Sequence, residues 1–153
     1  MKRTLMIILA GCCLPTITDA VTPDACSLLT AKDAAALAGQ VLSVVPSSDP
    51  DMCRYHGPGG PGALGIEVHI KVMPDAAVAH AQFPRWVVPF PGSAGPAVTE
   101  VTNIGDEAAI VRNTIMSGVN FRRGAVLVKI GVHPPLSGDA ALKAAASVVV
   151  GRL

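Results

Sequence analysis

The residues best suited to chemistry in this chain are four histidines and a few carboxylates. The histidines are His56, His69, His80 and His133. Glu67 and His69 lie two positions apart on a predicted strand, so their side chains point to the same face. With His133 opposite them, they would supply two imidazoles and one carboxylate, a set that binds divalent metals. The polar face of a half-exposed strand explains Glu67 and His69 without a metal, so we predict no metal site.

Other residue patterns give no sign of catalysis. Asp106 and Glu107 are adjacent, and adjacent strand residues point to opposite faces, so we expect no direct cooperation between these two acids. An aspartate after Gly105 is ordinary in a turn. No serine lies in a Gly-x-Ser-x-Gly motif. The glycine- and proline-rich run 57–62 lacks the ending of a phosphate-binding loop and precedes a strand. We therefore predict no catalytic residue and no cofactor, and the sequence does not favour an enzyme.

The first twenty residues are typical of a secretory signal peptide. Lys2 and Arg3 precede a short apolar run that is too short to remain as a membrane-spanning helix. Two processing sites stay open. Residues 9–12 read Leu-Ala-Gly-Cys, which resembles a bacterial lipobox and would make Cys12 the acylated N-terminus. Alternatively, the small residues before Val21 would allow cleavage after Ala20. We favour lipidation at Cys12, and both alternatives predict export to the periplasm, either free or anchored to the membrane.

Two further cysteines, Cys26 and Cys53, lie in the part of the chain that should fold. In an oxidising compartment, two cysteines in one small domain most often pair. Their spacing is not that of a Cys-x-x-Cys redox motif, and no activating pattern lies beside either of them. We therefore predict a structural disulfide.

The composition indicates one globular domain, residues 21–153. Half of the residues are apolar, but only 3% are aromatic and 15% charged. The formal net charge is +1, and loss of Lys2 and Arg3 with residues 1–11 leaves ten basic and eleven acidic residues. Without a basic patch, the chain has almost no electrostatic basis for binding nucleic acid.

The organising feature of the domain is a predicted hairpin near its C-terminus. Two runs of β-forming residues flank Arg122-Arg123-Gly124, and glycine suits the turn. Alternation along these runs predicts one buried sheet face. Further strands are predicted at 41–45, 52–56 and 64–73.

Three helices are predicted along the chain. The first runs from Cys26 to Gly39, with Thr30 as N-cap, Asp33 in the first turn and Gly39 as the stop. The second covers 74–83. The last covers 140–150, is capped by Ser137-Gly138-Asp139, and buries one face. That face comprises Leu142, Ala145, Ala146 and Val149.

A proline-rich stretch separates the second helix from the hairpin region. Its prolines predict an irregular surface loop over 86–101. Phe83, Trp86 and Phe90 gather most of the few aromatic residues here. We expect these side chains either to fill the edge of the core or to form a patch that contacts a partner or ligand.

Four sequence pieces occur in an order that resembles a known group. They are Ala25-Cys-Ser-Leu-Leu-Thr30, Cys53-Arg-Tyr55, Asn103-Ile-Gly-Asp-Glu-Ala108, and a hairpin followed by a closing helix. This resembles exported bacterial lipoproteins of unknown function in families of the DUF3558 type. The resemblance implies an α+β fold, an antiparallel β-sheet with helices packed on it, in the manner of the Mog1/PsbP-like fold. It also implies a Cys26–Cys53 bridge and no catalytic residues.

Three classes of function remain, and the first is favoured. It is an exported cell-envelope protein with a non-catalytic binding or assembly role and an envelope protein as partner. The alternative is a periplasmic small-molecule binder, and a metal-dependent enzyme is less favoured. An exposed patch at Phe83, Trp86 and Phe90 would favour the protein partner, whereas a cavity would favour the small ligand.

Overall fold

The computed structural model describes residues 23–59, 63–87, 97–136 and 138–153. Within these stretches one seven-stranded antiparallel sheet has the order β1-β2-β3-β7-β6-β5-β4. The strands are β1 Ser43–Val45, β2 Met52–His56, β3 Gly65–Val72, β4 Ala97–Val101, β5 Glu107–Arg112, β6 Ser117–Arg123 and β7 Val126–His133. The helices are α1 Ala25–Leu28, α2 Ala31–Ala38, α3 Ala76–Val87 and α4 Ala140–Val150. The fold is α+β with helices on an antiparallel sheet, and the prediction of the fold class is confirmed.

The main core lies between one face of the sheet and the helices α1, α2 and α4. The central strands contribute fully buried side chains, among them Tyr55, Ile66, Val119, Phe121 and Val132. From α4 the buried residues are Leu142, Ala145, Ala146 and Val149, the face that the sequence predicts. Helical spacing therefore identified the buried face of α4 correctly, and alternation did so for Val119, Phe121 and Val132, whereas Ile115 of the same predicted run is exposed.

The opposite face of the sheet carries a second, smaller core under α3. Its buried residues are Ala79, Phe83, Val87, Ala109, Val111 and Leu127. The expectation of a single buried face is wrong for the central strands, because α3 crosses behind them. In β6 every residue except the last is buried. A strand covered on both sides reads as a nearly continuous run of buried residues rather than an alternating one.

The N-terminal helical region begins and ends largely as predicted. Thr30 and Asp33 form a capping box at the start of α2, and Gly39 ends the helix with a φ of 69°. The predicted single helix is divided, because Thr30 takes an extended conformation to act as N-cap and separates α1 from α2. At α4, Asp139 occupies the N-cap position but makes no capping bond. Its carboxylate instead accepts a hydrogen bond from Arg112 Nε at 3.0 Å.

The predicted loop over 86–101 is wrong at both of its ends. Helix α3 continues through Pro84 to Val87, and residues 97–101 form the edge strand β4. A proline inside a helix removes one backbone hydrogen bond, and the burial of Phe83 and Val87 on one face of α3 offsets this loss. The rest of the predicted loop, including Phe90, lies outside the described residues.

The predicted disulfide is present and joins α1 to β2. Cys26 and Cys53 are bonded with their Cα atoms 5.0 Å apart. Cys53 is fully buried in the main core. The predicted signal peptide and Cys12 lie outside the described residues. Within the described part of the chain, no helix has the length and apolar character needed to cross a membrane.

Candidate functional site

The candidate site is a groove between helix α3 and the edge of the sheet formed by β4 and β5. Its volume is about 610 Å³. Phe83, Pro84 and Val87 line it from the helix, while Val98 and Glu100 line it from β4. Ligand sites for small organic molecules commonly have volumes of roughly 300–1,000 Å³ and mostly apolar walls with a few polar groups. The groove has both properties.

The groove exists because α3 lies over the middle of the sheet rather than over its edge. Helix α3 contacts β6 and β7, so strands β4 and β5 extend beyond it. In the register of these two strands, Val98 faces Val111 and Glu100 faces Ala109. Directly paired residues project from the same face of a sheet. The short side chain of Ala109 therefore leaves depth between the helix and β4.

Two carboxylates of the groove meet at one buried guanidinium. Arg122 Nη1 lies 2.9 Å from Asp106 Oδ2, and Arg122 Nη2 lies 3.1 Å from Glu107 Oε1. The two acids meet on Arg122 rather than on each other, and Asp106 lies before β5, in the turn where the sequence placed it. The backbone N–H of Gly124 also donates to Asp106 Oδ2 at 2.8 Å. The pair thus ties the start of β5 to the β6–β7 hairpin.

Helix α3 reaches the same cluster through His80. Its Nδ1 is hydrogen-bonded to Glu107 Oε1, the oxygen that also accepts from Arg122. A carboxylate that orients an imidazole is part of many acid–base sites. Here the His80 side chain is 70% exposed, and it does not belong to the described groove lining. The contact fixes the N-terminal half of α3 above the beginning of β5.

The third carboxylate of the groove, Glu100, is placed differently. It is exposed on the edge strand β4. Among the residues that the structure describes, it has no hydrogen bond or ion pair. Its charge is therefore directed to the groove and the solvent rather than to a neighbouring cation.

The histidine arrangement considered from the sequence lies elsewhere on the sheet. His69 Nε2 is 3.5 Å from Glu67 Oε2, and Arg54 Nε is 3.3 Å from Glu67 Oε1. The hydrogen bond with His69 lowers the pKa of Glu67, with Arg54 and His133 adding to this and burial opposing it. Within the described ranges, no three His, Cys, Asp or Glu side chains are grouped so as to hold a metal ion.

No protein-family model matches this chain, and no curated protein matches it.

Phe83 and Trp86 of the predicted aromatic patch lie in different surroundings. Phe83 is only 9% exposed and belongs to the second core, with one side on the groove. Trp86 is half-buried, with Lys129 Nζ 5.1 Å from the centre of its ring. Burial lowers the pKa of Lys129. The third member, Phe90, lies outside the described residues.

Sequence reasoning missed the half of the groove that β4 supplies. The signal was present in Val98-Thr99-Glu100, where alternate residues face the groove. The prolines that precede this segment favoured a loop, and they concealed a short edge strand. Val87 was missed for a related reason, since Pro84 predicted an earlier end of the helix.

Proposed function

We propose that this protein is an exported cell-envelope protein with a non-catalytic binding role, and that it holds a small molecule in the groove between α3 and β4. The observation that carries this proposal is the groove itself, with a volume of about 610 Å³ and walls that include Phe83, Val87 and Val98. Such dimensions fit a small organic ligand. A few carboxylates at one side would orient it.

The geometry supports the small ligand better than the protein partner that the sequence favoured. A protein-docking surface would require Phe83 and Trp86 to stand exposed as one apolar patch. Instead, Phe83 packs between α3 and the sheet, and Trp86 lies beside Lys129. The apolar surface of Phe83 that remains open faces the groove.

An enzymatic role that depends on a metal receives less support, because no three His, Cys, Asp or Glu side chains of the described ranges are grouped so as to hold one. His69 is bound to Glu67 on β3, whereas His80 of α3 is bound to Glu107 on β5. A metal-dependent reaction would require these imidazoles to converge.

Export is part of the same proposal. The leader, with Cys12 as its acylated residue, would anchor the domain to a membrane, as in the DUF3558-type lipoproteins that the chain resembles. The α+β fold and the Cys26–Cys53 bridge support this, since disulfides persist in oxidising compartments. Globomycin, which blocks lipoprotein signal cleavage, should cause a heavier precursor to accumulate. A mature band that begins at Val21 and is insensitive to globomycin would instead assign cleavage after Ala20.

Binding can be tested with N-phenyl-1-naphthylamine, an apolar dye that is neutral at neutral pH and fluoresces in apolar sites. The full-length chain would carry Cys12→Ser, so that no detergent for a lipid anchor competes with the dye. We expect saturable fluorescence with the parent chain and its loss in Val98→Trp, which fills the groove. Thr99→Trp is the matched control, because Thr99 is exposed on the opposite face of the same strand. Equal binding by both variants would refute the groove as the site.

A further inference from the structure

We infer that the ligand of this groove is an amphipathic cation, a small molecule with one ammonium group and an apolar body. The inference rests on the proposed function and adds the chemical class of the ligand. It is carried by the separation of apolar and acidic groups along the groove.

The direction of α3 over the sheet fixes the two ends of the groove. At one end, His80 of α3 is bound to Glu107 at the start of β5. Two helical turns further along α3, Val87 packs in the same cluster as Val111, near the other end of β5. Val98 faces Val111 across the strand pair. One end of the groove is therefore lined by valines.

The other end is acidic. Asp106 and Glu107 line it together with Glu100. Among the described residues, Arg122 is bound to Asp106 and Glu107, and His80 is bound to Glu107. Three carboxylates against one guanidinium and one imidazole leave an excess of negative charge, and the described groove lining includes no lysine or arginine.

These two ends suit opposite parts of one molecule. From His80 to Val87 the helix rises about 10 Å, so an apolar body of about that length would reach from the acidic end to the valines. Burial of that body would supply most of the affinity. A half-exposed ion pair adds little to the affinity, so the carboxylates would mainly select the sign of the ligand's charge.

The test compares three ten-carbon probes that differ only in the head group: decylammonium, decanoate and decanol. Each is used to displace N-phenyl-1-naphthylamine from the full-length Cys12→Ser chain in buffer of low ionic strength. We expect decylammonium to displace the dye at a concentration about fivefold below that of decanoate, in keeping with one or two partly exposed ion pairs. This preference should shrink as salt is added, since salt screens exposed charges.

Glu100→Gln tests the residue that the inference relies on most. It should reduce the preference for decylammonium about threefold while leaving decanol unchanged. Asp51→Asn is the charge-matched control, because Asp51 is exposed on the loop before β2, away from the groove. Equal displacement by decylammonium and decanoate, or equal effects of the two variants, would overturn the inference and leave the groove as an apolar site. If no probe displaces the dye and Val98→Trp does not affect it, the proposed function fails as well.

Discussion

Arg152 Nη1 lies 2.6 Å from Asp33 Oδ2 and joins the end of the described chain to the start of α2. The same nitrogen donates to the carbonyl oxygen of Leu28 at 2.7 Å. Asp33 Oδ2 also accepts from the backbone N–H of Thr30 at 2.9 Å, as part of the capping box. One carboxylate thus holds a helix cap and a tertiary contact between elements that are far apart in sequence.

This contact predicts acid sensitivity at low pH. The hydrogen bond from Arg152 lowers the pKa of Asp33 from 3.8 to about 2, with burial opposing the shift and Thr30 reinforcing it. Because the folded pKa is depressed, the stability due to this charge is complete above pH 3.8 and is lost as the pH falls toward 2. Asp33→Asn should lower the free energy of unfolding at neutral pH by about 1 kcal/mol, a value reduced for the partial exposure of Arg152. Urea unfolding across this pH range would measure both effects.

The control for this prediction is Asp51→Asn, which removes a carboxylate from an exposed loop. It should leave the stability within about 0.5 kcal/mol at every pH. If Asp33→Asn and the parent chain lose stability in parallel between pH 3.8 and 2, the Arg152–Asp33 contact is not the cause of the acid sensitivity.

The Cys26–Cys53 bridge should be a major source of stability. It closes a loop with a sequence separation of 27, for which the chain-entropy model gives about 3.5 kcal/mol. Cys26→Ser should therefore lower the melting temperature by about 10 °C in non-reducing buffer. Calorimetry of the parent chain with and without reductant provides the comparison. Free thiols at both positions in protein from its native compartment, or an unchanged melt, would contradict a structural disulfide.

The elements with local signals were predictable from the sequence. Thr30, Asp33 and Gly39 mark the ends of α2 through interactions within the helix and its caps. The buried face of α4 follows from helical spacing alone, and the hairpin turn follows from Gly124, whose φ is 56°. The disulfide followed from the small number of cysteines and the predicted compartment. In each case the deciding interaction involves residues that are close in the chain or of a rare type.

The groove could not be predicted, because it depends on how distant elements lie against each other. The position of α3 over β6 and β7, rather than over β4, is set by packing between residues such as Phe83 and Leu127. The convergence of Asp106 and Glu107 on Arg122 requires the turn at Gly105 to face the hairpin. Neither arrangement leaves a periodic pattern in the sequence, and the prolines before β4 pointed to a loop.

The single tyrosine of the chain offers a direct measurement of core burial. Tyr55 is fully buried and donates a hydrogen bond to the carbonyl oxygen of Leu29. Burial, with smaller contributions from Asp24 and Asp33, raises its pKa from 10.0 to about 12. The stability due to the neutral phenol is therefore complete below pH 10.0 and is lost as the pH rises through about 12. Tyrosinate absorbance should titrate near pH 12 in the folded chain and near 10.0 in urea, whereas one transition near 10.0 in both would show an exposed phenol.

Two glycines with the same backbone conformation should respond differently to substitution by alanine. Gly105 and Gly124 have φ values of 57° and 56°, which an L-residue adopts only with strain. A Cβ at Gly124 would have no atom within 4 Å, so Gly124→Ala should lower the free energy of unfolding by about 1 kcal/mol. At Gly105 a Cβ would collide with the backbone carbonyl oxygen of Arg122, which cannot move without breaking the strand pairing. Gly105→Ala should therefore destabilise the fold by more than about 3 kcal/mol. Urea unfolding of the two variants would measure the difference, and equal losses would mean that the turn before β5 does not press against β6.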